Sequence, residues 1–448
     1  MKATKTRSLV SQIRPVVAAG LVAVTLAFLA AGCDDLLSVD DPQRYTSGDL
    51  DQALTAVAAG VEGDFHYAID YLVVTTSLAS DVYRHTGTWA GYEELDLGRF
   101  QYRNTPYIST LFDRLLRARW AAKDAKERFE RVLEGEAASS PLMVQAQVVD
   151  GMADLLIGQN FCEAPAEPSG PAVSDMQILE QAISKLTEGL QLAENAGATQ
   201  WAHTARAARA RAHLLLGQYG QAAADAAAIP DGFNYVARHS TNSGRQNNWV
   251  VTVTTAGQNA QAGLREKWWD MVDDDARLLI DPWTGELDAR VPIYKTGAVA
   301  TNGFTQHVSQ WKYQSRGDDI PLFHSEEMRL IQAEVHWREG DLDEAMGLMN
   351  EVRSRVGLSP LPETDDPVQV RDYLLHERFA QMFMEGQRMS DLHRFGVFGE
   401  MVVEREEAPG QNVFGSDRPV KFPVSTSEAL NNPSMEDDVG QRCLPRAG

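Results

Sequence analysis

The sequence predicts a mostly α protein, with tetratricopeptide-like helical hairpins forming a scaffold and long loop-rich insertions between them. Three observations predict it. Several stretches place apolar residues at spacings of three and four, the period of an amphipathic helix. Two widely separated segments repeat one pattern of small residues. The stretch between them, residues 231–320, carries no long helical period and is rich in Gly, Asn, Thr and Trp.

Residues 1–32 stand apart from this scaffold. Lys2, Lys5, Arg7 and Arg14 precede an apolar run, residues 16–31, interrupted only by Gly20 and Thr25. A basic region before such a run is the pattern of a secretory signal peptide. It ends in Leu29-Ala30-Ala31-Gly32-Cys33, which resembles the lipobox of bacterial lipoproteins, whose cysteine is acylated and becomes the mature N-terminus. Cys33 is thus the expected lipidation site, and lipid rather than a spanning helix the expected attachment to a membrane. An uncleaved anchor helix is the alternative. Residues 33–48 read as an acidic tether and residues 49–448 as a single helical domain. Asp34 resembles an inner-membrane retention signal, whereas an acidic cluster at this place resembles a surface-export signal; the rest of the chain favours the second.

The helical elements follow in order. Leu111, Leu115, Ala118, Ala122, Ala125 and Phe129 lie at helical spacing within residues 111–133, above a charged outer face. Pro141, after Ser139-Ser140, opens a helix that ends at Gly158. Residues 176–194 and 200–217 form a helical hairpin broken at Asn195-Ala196-Gly197. The repeated pattern aligns Ala210, Gly217, Tyr219 and Ala222 with Ala333, Gly340, Leu342 and Ala345. Small residues let antiparallel helices approach closely, and each glycine ends one helix before the next begins, which resembles the tetratricopeptide hairpin. Within residues 231–320, Trp249 to Thr255, Arg290 to Tyr294 and Val308 to Tyr313 read as short β runs. A loop-rich, aromatic stretch also runs from Asp81 to Tyr107.

Composition excludes several classes. With 448 residues, 44% apolar and 23% charged, most of the chain is expected to fold in water around a large core. A formal charge of −22 opposes nucleic-acid binding, so no nucleic-acid partner is expected. The three cysteines, at 33, 162 and 443, form no CxxC pair and fit neither a zinc site nor a disulfide framework. In an oxidising compartment Cys162 and Cys443 make an even pair and are a disulfide candidate, two buried free thiols being the alternative.

The last third carries a resemblance. Ser325 to Glu334, then Gly340, Ala345 and Asn350 to Leu358, is similar to the SusD/RagB family of outer-membrane nutrient-binding lipoproteins. So are Glu377-Arg378, Glu385-Gly386, Arg388, Asp391 and Arg394 within residues 374–396, and Phe422-Pro423 through Asn432-Pro433. The resemblance implies a SusD-like scaffold, lipid-anchored in the outer membrane and facing the cell surface, that passes oligosaccharides or peptides to a SusC-like TonB-dependent barrel transporter. The charged motif residues themselves sit at helical offsets where carboxylate and guanidinium pair, and read as structural.

No HExxH, GxSxG or P-loop is present, so no catalytic residue is assigned, and no metal or cofactor is expected. Glu93-Glu94 and Asp273-Asp274-Asp275 admit a helical glycoside hydrolase or a Ca²⁺ site, but adjacent acids are more simply a solvated face. Binding fits better. Tyr83, Trp89, Tyr92, Trp249 and Trp283 lie in the loop-rich stretches, with Arg84, Asn247 and Asn248 beside them for hydrogen bonds to hydroxyls. One ring stacked on a sugar over about 100 Å² contributes roughly 2.5 kcal/mol, while millimolar affinity needs about 4 kcal/mol. Two or three aromatics and an oligomeric ligand are therefore expected. Trp268-Trp269 and Trp311 are expected to be packing. A peptide ligand, held by pockets and backbone contacts, is the second reading, and the hydrolase the third.

Overall fold

The computed structural model describes residues 46–99, 106–167, 169–255, 260–398, 420–435 and 443. The signal-like segment, Cys33 and most of the tether lie outside the described residues. Helix α1 (Ser47–Gln52) starts at a capping box in which Thr46 and Asp49 bond each other's backbone. It belongs to a unit that ends at Ala53; residues 54–448 form a second, much larger unit.

Within the larger unit, helices pack in a continuous row. Its members are α2 (Leu54–Leu78), α4 (Pro106–Leu133), α5 (Pro141–Asn160), α6 (Asp175–Asn195), α7 (Thr199–Leu215), α8 (Tyr219–Ala227), α10 (Ser325–Glu339), α11 (Leu342–Arg355) and α12 (Pro367–Gln381). Each packs on the next along this series, and α12 returns to α10. Ser140 caps α5 with Pro141 at its first position, and Ser174 caps α6 through a capping box with Gln177. Gly217 (φ 71°) and Gly340 (φ 85°) each turn the chain into a second helix, as the repeated pattern predicts. The most extensive contact is between α5 and α6, where Gly151 leaves room for Leu186 of the facing helix.

The longest element the sequence reading missed is α2. Phe65, Ile69, Leu72 and Val73 are fully buried, and so are residues on most of its circumference, including Asp70 and Thr76. A helix covered on most sides has no polar stripe to set its period.

The insertions form small antiparallel sheets. Strand β1 (Tyr83–His85) pairs with β5 (Ala262–Leu264), β2 (Glu163–Pro165) with β3 (Ala172–Ser174), and β4 (Asn234–Ala237) with β10 (Ile320–His324). A four-stranded sheet runs β6 (Val272–Asp273), β7 (Leu278–Ile280), β8 (Leu287–Val299) and β9 (Gln306–Gln310). Arg290 to Tyr294 and the first half of Val308 to Tyr313 are strand as expected, but the β-like run from Trp249 is helix α9 (Trp249–Thr254). Its valines are compatible with either state; Asn248 decides, because its side chain accepts the Val250 N–H at 3.0 Å and caps the helix. The remaining short helices are α3 (Ala90–Asp96), α13 (Arg388–Arg394) and α14 (Thr426–Asn431).

Charged residues hold the C-terminal helices from inside. Glu377 accepts from Arg290 (2.6 Å) and Arg353 (2.6 Å), all three being buried. Arg378 is bidentate to Asp391, Arg394 bridges Glu334 and Asp391, and Arg388 reaches Asp81 of the first half at 2.8 Å. Most of these pairs join separate elements instead of lying three or four residues apart on one helix. Removing one partner of a buried pair strands a charge, at a cost of about 3–5 kcal/mol, so the network resists substitution. Cys162 and Cys443 are joined in a disulfide, and Phe422 bridges to Phe161 beside it.

Candidate functional site

Four aromatic rings from four different elements line up. Tyr107, near the start of α4, stacks on Trp89 with centroids 6.2 Å apart and planes 11° apart. Trp89 stacks on Trp249 (6.0 Å, 17°), and Trp249 on Tyr71 of α2 (5.6 Å, 24°). The row continues with the Arg114 guanidinium, 3.7 Å from the Tyr71 centroid and 3.5 Å from that of Tyr67. Arg245 lies beyond, over Tyr67 at 4.9 Å. Van der Waals contact sets ring planes about 3.5 Å apart, so a 6 Å centroid distance implies a sideways slide of about 5 Å per step. The rings form a staircase, and all four are half-buried.

Local chemistry fixes each step. Gln261 accepts the N–H groups of Thr88 (2.8 Å) and Trp89 (3.1 Å), while the Trp89 carbonyl accepts from Tyr92 and Glu93 to open α3. Asn248 is buried, caps α9 and donates to the Asp318 carbonyl at 2.9 Å, which sets Trp249 at the head of its helix. Asp70 accepts the Trp249 N–H at 2.9 Å and an Arg114 N–H at 3.3 Å. Burial pushes the Asp70 carboxyl up to about 7 against the pull of Arg114 and the Trp249 N–H. Tyr92 lies under the row, edge-on to Trp89 at 5.4 Å, and its hydroxyl accepts from the Trp249 indole at 2.9 Å. Gly91 has no side chain because a Cβ there would come within 2.8 Å of the Tyr107 ring.

The eight residues singled out from the sequence fare differently. Trp89 and Trp249 are steps of the row. Tyr92 and Asn248 support it from beneath, and both are too buried to touch a ligand. Asn247 is half-buried, with its amide against the carbonyls of Ser240 and Ser243. Tyr83 is fully buried in β1, and Arg84 is buried and paired with Glu266, so neither offers a ligand contact. Trp283 does not join the row: it packs edge-on to Tyr373 at 4.8 Å, in the apolar cluster of the C-terminal helices. Sequence reasoning missed Tyr67, Tyr71, Tyr107 and Arg114, which helices contribute, and Arg245. Tyr67 and Tyr71 carried one signal, a spacing of four that puts both on one face of a helix.

The packing assignments hold where the geometry speaks. Trp268 is buried and stacked on Phe379 at 4.2 Å, and Trp311 is edge-on to Tyr294 at 5.2 Å. Asp273 accepts N–H groups of Asp275 and Ala276 in its own turn, and Asp274 faces Lys295 at 3.6 Å. Among the described residues, Asp281, Asp288 and His376 bring potential metal ligands within 4.8 Å of one another. Arg353 bonds Asp281 at 2.9 Å and Arg290 bonds Asp288 at 2.7 Å, so guanidinium already supplies the positive charge there. No helix among the described residues is long and apolar enough to cross a membrane.

The comparisons with known proteins agree with this fold. The profile of the SusD family matches residues 235–437. Over those residues the chain is similar to the SusD/RagB family. Starch-binding protein SusD of Bacteroides thetaiotaomicron is 29% identical over 202 residues, which is 41% of this chain but only 34% of that protein's length. Among solved structures, surface glycan-binding protein A of Bacteroides uniformis superposes with a TM-score of 0.66 at 14% identity, over 86% of this chain and 99% of the other. A laminarin binding SusD-like protein gives 0.63 at 14% identity, over 85% and 98%. At such identities the likeness is one of fold: mostly helical and SusD-like.

Proposed function

We propose that this protein is a binding protein, not an enzyme, that captures oligosaccharides on the row Tyr107, Trp89, Trp249 and Tyr71. The observation that carries the reading is the staircase: four half-buried rings, each slid past the next, offer successive partial faces to successive sugar rings, and Arg114 and Arg245 extend the row with hydrogen-bond donors. Since one stack falls short of millimolar affinity, a row of four suits an extended ligand. The names of the relatives, a starch-binding, a laminarin binding and a surface glycan-binding protein, support the same class of ligand. The peptide reading loses ground because the row presents flat faces instead of side-chain pockets.

In this proposal residues 1–32 are a signal peptide, Cys33 carries the lipid, residues 33–48 are the tether and the rest is one binding domain at the outer-membrane surface. It hands its ligand to a SusC-like TonB-dependent barrel. Titration calorimetry against starch and laminarin oligosaccharides tests the site: Trp249→Ala weakens binding at least tenfold, about 1.4 kcal/mol, whereas Trp283→Ala leaves it unchanged. Equal affinity in the Trp249→Ala and unsubstituted proteins overturns the site. Purification of the tagged lipoprotein from detergent-solubilised outer membranes tests the partner. A stoichiometric large β-barrel is expected; a lone protein in the inner-membrane fraction ends the transporter reading.

A further inference from the structure

A second concave site opens on α4, away from the aromatic row. It is a cleft of about 430 Å³, within the usual size of a small-ligand pocket, between α4, the β2–β3 loop and α14. Trp120 stands at its edge and is 59% exposed, the most exposed tryptophan among the described residues. A ring that large left in water on a helix is the informative exception to burial, not the rule. Tyr107 and Trp120 share the helix but not a side: thirteen residues carry Trp120 about 20 Å further along and roughly 140° around. No residue lines both sites.

The lining chemistry narrows the ligand. Arg119, Lys123, Lys126 and Lys185 contribute four positive charges, and Asp150, Glu167 and Glu428, with Asp154 beneath, contribute four negative ones. They are already matched. Lys126 donates to Gln147 (2.8 Å) and Asp150 (2.6 Å), and Lys185 reaches Asp150 (2.8 Å) and Asp154 (2.6 Å). Each ammonium has three N–H groups, so each keeps one for a ligand, and each Asp150 oxygen keeps a lone pair. An ionic ligand of either sign would meet four charges of its own sign. A neutral ligand whose every polar group both donates and accepts fits such a lining, and an apolar face to lie on the indole completes it.

We propose that the Trp120 cleft is a second carbohydrate-binding site, taking one or two neutral pyranose units stacked on Trp120, with hydroxyls bonded to Lys126, Asp150 and the exposed Asn431. It is independent of the aromatic row. Two sites on one lipid-held chain raise the effective concentration of a long glycan without tightening either contact.

The test is ¹⁹F NMR of the full chain labelled with 5-fluorotryptophan, each resonance assigned by Trp→Phe substitution. The probes are the methyl pyranosides of glucose, galactose, mannose and xylose, titrated through the millimolar range. At least one is expected to move the Trp120 resonance saturably, equally in the Trp249→Ala background, and Asn431→Ala should weaken that event several-fold. Trp120 silent to all four sugars, or a shift that never saturates or ignores Asn431→Ala, overturns the proposal. The Trp89 and Trp249 resonances report the row separately, in a second titration with the starch and laminarin oligosaccharides that an extended row requires. Silence there with a response at Trp120 removes the function proposed above and leaves this site standing; the converse does the opposite.

Discussion

Asp70 accepts the backbone N–H of Trp249 at 2.9 Å across 179 residues of sequence. The same carboxylate holds Arg114 between Tyr67 and Tyr71, so one fully buried acid ties together the elements that carry the aromatic row. Asp70→Ala strands the Trp249 N–H and a largely buried guanidinium, and is expected to lower stability by about 3 kcal/mol in urea unfolding and oligosaccharide affinity at least tenfold. Asp70→Asn keeps an acceptor and should retain more of both. An alanine variant as stable as the parent would show that the bond carries no weight.

Gly91 offers a gentler perturbation of the same row. Its Cβ position lies 2.8 Å from the Tyr107 ring, in the first turn of the short helix α3. Gly91→Ala should displace the first step, weaken calorimetric affinity for an extended oligosaccharide several-fold, and leave the melting temperature nearly unchanged. Shorter oligosaccharides that reach only Trp249 and Tyr71 should bind as before.

His324 gives the pH dependence of stability its sign. Burial pushes its imidazole down, but the Glu385 carboxylate at 3.1 Å and the hydrogen bond to Glu326 outweigh it and raise it to about 9. Lys312, 2.6 Å from Glu385, and the Glu327 carboxylate, whose charge also favours the proton, complete its charged surroundings. The native protein thus keeps a proton that the unfolded chain releases near 6.5. The stability it confers is full below about pH 6.5 and is lost as pH rises through about 9. Melting temperatures measured from pH 6 to 10 should fall across that window, and His324→Gln should flatten the fall; an identical slope in the variant assigns the loss elsewhere.

The disulfide closes 281 residues between Cys162 and Cys443. For a loop that long, chain entropy gives about 5 kcal/mol as an upper figure. Denatured without reductant, the protein should take up no iodoacetamide at these positions, and Cys443→Ser should lower the denaturation midpoint. Labelling of both thiols before reduction would exclude the bond in solution.

How much of this was legible depends on what each residue faces. Amphipathic helices with one wet side, such as Pro106–Leu133, announce themselves, and so do the glycines at 217 and 340 that end helices in left-handed conformation. Leu54–Leu78 does not, because a helix buried around most of its circumference has lost its periodic signal. Trp89 and Trp249 were legible as aromatics outside helical periods. Trp283 satisfied the same criterion and packs on Tyr373 instead, since a loop's composition does not say what it folds against.

By itself, then, the sequence determined the scaffold: its mostly helical class, its helical hairpins and their breaks. Local periodicity and turn chemistry suffice for these. Only the tertiary structure decided which aromatics meet. Tyr71, Trp89, Tyr107 and Trp249 come from four segments, and their alignment rests on contacts of long sequence separation: Asp70 to Trp249, Gln261 to Trp89, Tyr92 to Trp249. Such contacts leave no periodic trace, because each is fixed by packing between elements and not by the spacing of residues along one.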